Sequence, residues 1–441
     1  MRLRLLSVGY GVLIALCLLV FVLRVLALPG KLSDFCRDYV SVHYFLAGQP
    51  VYEPLHCLAQ FMYVPAPIEY DAHPPFSILF FLPFSLPPFV PAQLLWAMFS
   101  LLAYLAAGYL LLREVGWFSW RGVAAFLLLS IVWQPADTAL EAQNVMQVLF
   151  LLLVAAWVAE KRGHPRWAGV LLGVAALLKV WPAFMVLGAL VLRRWQVVFA
   201  GVGTVLAGTA LSLIIVGPAA YVAYLGPVQA NEQFWVPITG NASLIGAITR
   251  PLVRYDTLAP VVSGWTLNSA LLLAEAINVC VVGVILFLLW RWYQPGKQAS
   301  WLLCQALLLT AALLVFPLTM FFTLIALLLI AASLILALRA FPRPPRWWYA
   351  VVVLSALPLT QTNWLLWVAS MASTRRAQTL LDLPAAGLLL LIGAQCYLFW
   401  RARKAEPLVV KEPETPAFPA GALSGVSGQH PIAPLPHHQI E

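Results

Sequence analysis

Residues 34–75, the first hydrophilic stretch of the chain, concentrate side chains that can do acid–base chemistry. The stretch holds Asp34, Asp38, Glu53, Glu69 and Asp71, five of the seventeen acidic residues in the chain. It lies between apolar segments, and ionised carboxylates beside a bilayer suit the handling of protons and charged ligands. His73 is a further candidate ligand or acid–base group, although a lone interfacial histidine is more often simply hydrogen-bonded. We therefore expect chemistry in this loop.

The composition indicates that the bilayer is the main solvent of the chain. Of the 441 residues, 62% are hydrophobic and only 10% are charged, and the mean hydropathy is +0.88. A soluble domain carries about 25% charged residues. The net charge of +9 raises the possibility of a nucleic-acid partner. The basic residues nevertheless cluster between apolar runs, as the positive-inside rule predicts. We expect a polytopic membrane protein without a nucleic-acid partner.

Apolar runs of about 20 residues predict about twelve transmembrane helices in an all-α fold. The runs fall near residues 8–28, 89–112, 121–134, 144–159, 166–178, 182–192, 197–216, 263–290, 300–316, 318–338, 348–366 and 383–400. With the amino terminus in the cytoplasm, eighteen basic residues lie inside and seven outside. This distribution predicts cytoplasmic termini and an external acidic loop at residues 31–75. Residues 1–404 form the transmembrane domain, and the Pro-rich residues 405–441 are expected to be a disordered cytoplasmic tail.

Helical spacing places Asp34, Asp38 and Ser41 on one face of an interfacial helix, with the carboxylates turned toward water. Asp34 could equally cap the amino end of that helix. Cys36 and Cys57 share the external loop, where an oxidising compartment would permit a disulfide, and the spacing does not decide whether they pair. Lys179 interrupts an apolar stretch; it either snorkels or meets a charged partner, for which a lipid phosphate is suitable. Arg250 is another external cation that could hold phosphate.

Several short motifs resemble glycosyltransferase family 87, and together they cover about residues 30–250. The sequence departs from the family in three places. Residues 316–323 lack the histidine pair found late in many members, Asp38 stands where an aromatic residue is common, and Ala142 replaces glycine. The motifs are Asp34-Phe35 with Tyr39, Leu46-Ala47-Gly48, Pro50-Val51-Tyr52, Tyr70 with Pro74-Pro75, Trp96, Ala142-Gln143-Asn144, Lys179-x-Trp181-Pro182 and Asn241-x-Ser243-Leu244.

The resemblance implies a GT-C-like bundle with interfacial helices in its external loops. It also implies inverting transfer of mannose or a related hexose from a polyprenyl-phosphate donor to a lipid-linked or glycan acceptor. Asp34 would act as general base on the external side of a bacterial inner or plasma membrane. No metal or cofactor is expected, because cations can neutralise the single phosphate of the donor. The expected substrate-binding residues are Asp38, Tyr39, Tyr70, His73, Gln143, Asn144, Lys179, Asn241 and Arg250.

Two other classes of function fit the same composition. A transporter or lipid flippase would also be polytopic and poor in charge, but transporters often carry paired repeats with broken helices. This chain shows one broken hairpin, at residues 179–182, without a visible partner. A non-catalytic assembly subunit would be favoured if Asp34 proved replaceable.

Overall fold

Helices form the regular structure of the described chain, apart from one isolated antiparallel bridge between Asn241 and Met320. The computed structural model describes residues 2–29, 33–52, 71, 73–238, 240–253, 264–341, 343–360, 368 and 380–404. The helices are α1 Arg2–Leu26, α2 Asp34–Leu46, α3 Phe76–Ser85, α4 Phe89–Val115, α5 Trp120–Val132, α6 Gln134–Ala142, α7 Met146–Lys161, α8 Pro165–Leu178, α9 Ala183–Val191, α10 Trp195–Ile215, α11 Pro218–Trp235, α12 Leu244–Thr249, α13 Leu267–Trp292, α14 Gln298–Val315, the 3-10 helix Phe321–Ala326, α15 Leu327–Ala340, α16 Arg346–Thr360 and α17 Leu383–Lys404.

Seven helices in the described ranges are long and apolar enough to cross a membrane, so the polytopic class holds. The number rises to eight if the bent pair α5–α6, with 67° between its helices, counts as one span. The expected total of about twelve is not reached by this measure. Several expected spans are shorter helices: α7 has 16 residues, α8 has 14, α9 has 9 and α16 has 15. A straight span needs about 20 residues.

The described helices up to Arg403 belong to one compact unit whose centre is α14, which is buried along almost its whole length. In contrast, α1, α10 and α13 present many exposed apolar side chains, as lipid-facing helices do. The expected tail at residues 405–441 lies outside the described residues.

Glycines allow α8 and α10 to pack backbone against backbone. A Cβ on Gly169 would lie 2.3 Å from the carbonyl oxygen of Val197, and one on Gly173 would lie 2.7 Å from that of Gly201. Spacing small residues by four is a common way for membrane helices to approach closely. This packing fixes α8, and with it the position of Lys179 at the carboxyl end of α8.

Four junctions between helices meet around the start of α2. They are the segment before α2, the segment before α3, the α6–α7 turn and the α8–α9 turn, and the contacts between them are given below. Inside the bundle, Arg24 of α1 forms an ion pair with Asp137 of α6. A basic residue within a span is costly unless it is paired, so this contact helps to hold α6 beside α1.

Candidate active site

Asp34 is the first residue of α2, where the helix dipole favours a negative charge. Ser33 occupies the N-cap position, so the interpretation of Asp34 as the capping residue is wrong. The Ser33 hydroxyl donates to Gln143 Oε1 at 2.6 Å and does not cap the helix. The Asp34 carboxylate is therefore free of capping contacts and turns toward the junctions described above.

Two neighbours hold the Asp34 carboxylate from one side. Arg37, one turn along α2, donates to Oδ1 and forms an ion pair with it. Asn144 donates its Nδ2 hydrogen to Oδ2 at 2.5 Å. The Asp34 side chain keeps 12% exposure, and each carboxylate oxygen has a second lone pair. The group is fixed in place and can still accept a proton from a third partner.

The α6–α7 turn positions Asn144 beside the Asp34 carboxylate. Gln143 ends α6 with φ of 51°, a left-handed conformation that is uncommon for a residue with a Cβ. Its carbonyl accepts from Trp96 Nε1 at 2.8 Å, and its Oε1 accepts from Gln93 Nε2 at 2.9 Å as well as from Ser33. Asn144 Oδ1 accepts from the Met146 amide at 3.2 Å, which fixes the orientation of the Nδ2 group.

Asp38, Asp71 and His73 form a buried group that we call the carboxylate–histidine cluster. His73 Nδ1 lies 2.7 Å from Asp38 Oδ1 and 3.4 Å from Asp71 Oδ1. Asp71 Oδ1 also accepts from the His73 backbone amide at 2.9 Å, and Tyr52 donates to the His73 carbonyl at 2.8 Å. All three cluster residues are nearly inaccessible to solvent. The expectation that both carboxylates of α2 face water is therefore wrong for Asp38, because its face of the helix meets the segment before α3.

Burial and the charges of neighbouring groups shift the pKa values of all three cluster residues. Burial alone would lower the pKa of His73, but the two carboxylates outweigh it and raise that pKa to about 9. Burial raises the pKa of Asp38 to about 6, although the positive charge of His73 opposes the rise. Burial also opposes ionisation of Asp71, yet hydrogen bonds and charge from His73 lower its pKa below the usual value. At neutral pH the cluster therefore contains an imidazolium between two carboxylates.

The carboxylate–histidine cluster is also the set of described residues whose ligand atoms suit a metal ion. One ligand atom from each of the three residues lies within 4.8 Å of the others. Carboxylate oxygens and imidazole nitrogens bind divalent cations. The proton on His73 already neutralises much of the negative charge of the two carboxylates, so an ion and that proton would compete for one position.

Lys179 approaches the site from the α8–α9 turn in an extended conformation. Its Nζ lies 5.4 Å from the centre of the Phe322 ring, and its side chain is partly buried. Burial lowers the pKa of Lys179 to about 8, against the opposing influence of the Asp34 and Asp38 carboxylates. No ion pair within the described residues includes Lys179. Lys179 is therefore a cation near the Asp34 carboxylate that has no ion-pair partner among the described residues.

The other expected site residues have different surroundings. The Tyr39 ring packs against the His43 ring at a tilt of 50° with the ring centres 4.3 Å apart, and the Tyr39 hydroxyl donates to the Pro87 carbonyl at 3.2 Å. Tyr70 lies outside the described residues, as does Cys57. Cys36 is disulfide-bonded. A disulfide at Cys36 is consistent with an oxidising compartment on that side of the membrane.

Asn241 and Arg250 anchor the loops around α12. Asn241 donates to the carbonyls of Val236 and Pro317 at 3.0 and 2.6 Å, and its Oδ1 accepts from the Ser243 and Thr319 amides. Arg250 is buried.

The guanidinium of Arg250 pairs with Asp382 at 2.7 Å and donates to the carbonyls of Ile238 and Asn241. The contacts of Asn241 with Pro317 and Thr319 hold the segment that precedes the 3-10 helix, which carries Phe322. A direct contact of Arg250 with phosphate stays a prediction.

Three residues of the site were not among those expected from the sequence: Arg37, Asp71 and Phe322. Arg37 follows Asp34 by three residues, a spacing that places both side chains on one helix face. Asp71 belongs to the acidic stretch and precedes His73 by two residues. Phe322 has no comparable signal, because its contact with Lys179 joins segments 143 positions apart.

The chain is similar to a described family over a range that includes His73, Asn144 and Lys179 and begins after Asp34, Asp38 and Asp71. The profile of glycosyltransferase family 87 matches residues 72–317. Two similar proteins are both named polyprenol-phosphate-mannose-dependent alpha-(1-2)-phosphatidylinositol pentamannoside mannosyltransferase. The one from Mycobacterium tuberculosis is 28% identical over 249 residues, which is 53% of this chain and 56% of the relative. The one from Mycolicibacterium smegmatis is 26% identical over 220 residues, 48% and 49% of the two chains. The chain thus spans about half the length of these relatives.

Proposed function

Because the chain belongs to glycosyltransferase family 87, it is a membrane glycosyltransferase, and we propose that it uses a polyprenyl-phosphate sugar as donor. The names of the two relatives favour mannose or a related hexose as the transferred sugar. The acceptor is a lipid-linked or glycan hydroxyl, and transfer takes place on the external face of the membrane. Both termini then lie in the cytoplasm, and the charge distribution of the loops supports this orientation.

In the proposed reaction, Asp34 acts as the general base. Its carboxylate takes the proton from the acceptor hydroxyl as that oxygen forms a bond to the anomeric carbon. The bond between the anomeric carbon and the phosphate oxygen breaks on the opposite face of the sugar, so the configuration inverts. The electron pair of that bond stays on the lipid phosphate, and the proton stays on Asp34 until water removes it.

The observation that carries this proposal is the fixed Asp34 carboxylate between Asn144 and two cations. Asn144 and Arg37 orient the carboxylate through hydrogen bonds. Lys179 is the cation without an ion-pair partner in the described part of the chain. A cation that is already in place when the reaction begins stabilises the negative charge that develops on the leaving phosphate.

The remaining residues position the substrates in this proposal. Gln143 Nε2 is buried without a hydrogen-bond partner among the described residues, which leaves a donor for a substrate hydroxyl. The carboxylate–histidine cluster fixes the segment before α3 against α2, and we propose that Tyr39 and Tyr70 bind substrate. Asn241 and Arg250 act through the loops that they anchor. Lys179 meets the charge of one phosphate in this proposal, and we expect the reaction to proceed without a metal or cofactor.

Transfer of radiolabelled mannose tests the proposal. Purified protein would be incubated with polyprenyl-phosphate-[14C]mannose and extracted bacterial membrane lipids, and labelled product would be separated by thin-layer chromatography. We expect product from the wild type and from Glu275→Gln, which removes an exposed carboxylate of α13. Asp34→Asn should give none. Equal product from Asp34→Asn would remove Asp34 as the base, and the absence of product from every protein would reject mannose as the sugar.

The transporter alternative is not favoured by the family match, and a direct measurement separates it from the enzyme. A flippase would move labelled donor across the membrane of sealed vesicles without acceptor, and it would form no glycosidic bond. Release of free polyprenyl phosphate in step with product formation is expected only for the transferase.

A further inference from the structure

An open cavity that carries three arginines lies at the end of α9 that is opposite the proposed catalytic residues. Its volume is about 640 Å³, which falls in the range of cavities that hold small ligands. Lys179 precedes α9 and Arg193 follows it, so about 14 Å of helix separates the two regions. The cavity is lined chiefly by Arg193, Arg194, Trp290, Arg291, Tyr293 and the turn at Gly296.

Two of the three arginines in this cavity are available to a ligand. Arg194 pairs with Glu160 at 3.0 Å and points a second nitrogen toward the Tyr293 hydroxyl at 3.4 Å. Arg193 and Arg291 are exposed, and neither takes part in an ion pair within the described ranges. Guanidinium groups in this arrangement suit the oxygens of a phosphate, with which they form bidentate hydrogen bonds.

Arg193 has a left-handed backbone conformation that is energetically unfavourable for a residue with a Cβ. Four helix ends share one motif, in which a backbone amide donates to the carbonyl five residues earlier: Gln49 to Tyr44, Trp117 to Leu112, His164 to Ala159 and Arg194 to Ala189, each at 2.8 Å. The left-handed residue inside this motif is normally glycine. It is Gly48 after α2, Gly116 after α4 and Gly163 after α7, but after α9 it is Arg193, with φ of 56°. A residue with a Cβ is disfavoured in this conformation.

Aromatic side chains place the cavity at the level of the lipid headgroups. Trp195 begins α10 and Trp290 lies in the last turn of α13, and both are exposed. Both helices meet the length and hydropathy of a membrane span. Tryptophan at the ends of spans marks the boundary between lipid and water. The charge distribution of the loops predicts that this end of the bundle is cytoplasmic.

We propose that this cavity binds the phosphate of an anionic phospholipid. The phosphate diester lies between Arg193 and Arg291, and the acyl chains follow the lipid-facing sides of α10 and α13. The inference concerns lipid binding alone, and it holds whichever sugar the enzyme transfers.

Selective retention of phosphatidylglycerol tests the inference. Full-length protein in mixed micelles with equal amounts of phosphatidylglycerol and phosphatidylcholine would be examined by native mass spectrometry for bound lipid. Each arginine near a membrane surface contributes about fivefold in affinity for an anionic lipid, so loss of two predicts about 30-fold weaker retention. We expect this loss for Arg193→Gly combined with Arg291→Gln, and about fivefold for either change alone.

The variants separate binding from folding. Arg193→Gly places glycine in a left-handed position, so it should raise the thermal unfolding temperature or leave it unchanged while it weakens lipid retention. Arg346→Gln, which removes an exposed arginine at the start of α16, serves as the matched control and should retain lipid normally.

Wild-type retention by the double variant, or an equal loss in Arg346→Gln, would overturn the site. Displacement of the lipid by millimolar inorganic phosphate would assign the cavity to a soluble phosphate and overturn the lipid assignment.

Discussion

Replacing Asp34 by asparagine is expected to stop sugar transfer while the protein remains folded. A general base contributes about 100- to 10,000-fold to the rate. Asparagine keeps the shape of the side chain and one oxygen that can accept from Arg37 or Asn144, so the change removes one of two hydrogen bonds. A hydrogen bond to a charged group contributes about 1.5–3 kcal/mol. This loss is smaller than the stability of a typical folded domain, about 5–15 kcal/mol.

Asp38→Asn is the matched control, because it removes the neighbouring carboxylate on the same face of α2. Asp38 is 2% exposed and lies 2.7 Å from His73 Nδ1. Removing one member of a buried ion pair costs about 3–5 kcal/mol. We therefore expect this variant to lose more stability than Asp34→Asn, and to keep activity within about tenfold of wild type for each folded molecule because Asp38 has no access to the acceptor.

The assay combines the initial rate of [14C]mannose transfer, normalised to folded protein by size-exclusion chromatography, with thermal unfolding in detergent. Asp34→Asn should lose at least about 100-fold in kcat with a small change in unfolding temperature. If Asp34→Asn retained a tenth of the wild-type rate, Asp34 would not be the base. If Asp38→Asn stayed folded and lost 100-fold or more, the role would pass to Asp38.

Four further perturbations test the surroundings of Asp34. Asn144→Ala removes the 2.5 Å hydrogen bond to Asp34 and should lower kcat/KM about 10- to 100-fold; an unchanged value would show that the carboxylate needs no such support. Because the pKa of Lys179 is lowered to about 8, wild-type kcat/KM should fall as the pH rises through 8, whereas Lys179→Arg, although slower, should show no such fall; parallel profiles would contradict the assignment. The pKa of His73 is raised from 6.5 to about 9, so its contribution to stability is complete below pH 6.5 and is lost as the pH rises through 9. The unfolding temperature should accordingly drop more between pH 7 and 10 in wild type than in His73→Gln, and equal drops would exclude the cluster as the source. Transfer should persist after dialysis against EDTA; loss that Mn²⁺ restores would assign a metal to the carboxylate–histidine cluster.

The sequence predicts the helix of Asp34 but not what its polar face meets. The spacing of Asp34 and Asp38 correctly gives a helix, which spans Asp34–Leu46. An amphipathic pattern identifies a polar side and does not distinguish water from another polar segment of the chain. Asp38 pairs with His73, 35 positions away, and contact at that separation leaves no periodic signal. The sequence pattern therefore could not predict that Asp38 is buried.

The expected number of membrane spans, about twelve, exceeds the seven or eight that helix length and hydropathy give in the described ranges. A helix that is buried among other helices is as apolar in sequence as a helix in lipid, so hydropathy does not distinguish the two. Helix α9, with nine residues, is about 14 Å long, which is half the thickness of the hydrocarbon core. The expected span at residues 121–134 ends at Val132, and the chain turns by 67° into α6, whose second residue is Pro135. Proline favours the first turn of a new helix over continuation of the old one.

Lys179 and Arg250 show why charge alone is an incomplete guide to a site. Both are basic residues within apolar surroundings, and the sequence suggests the same phosphate-binding role for each. In the fold, Arg250 meets Asp382, which lies 132 positions later in the chain, and so its charge is balanced. Lys179 meets an aromatic ring and partly buried space beside Asp34, and burial weakens its hold on its proton. A cation kept in such a place without a carboxylate partner is stabilised most when a negative group arrives, and a phosphate leaving the sugar is that group in the proposed reaction.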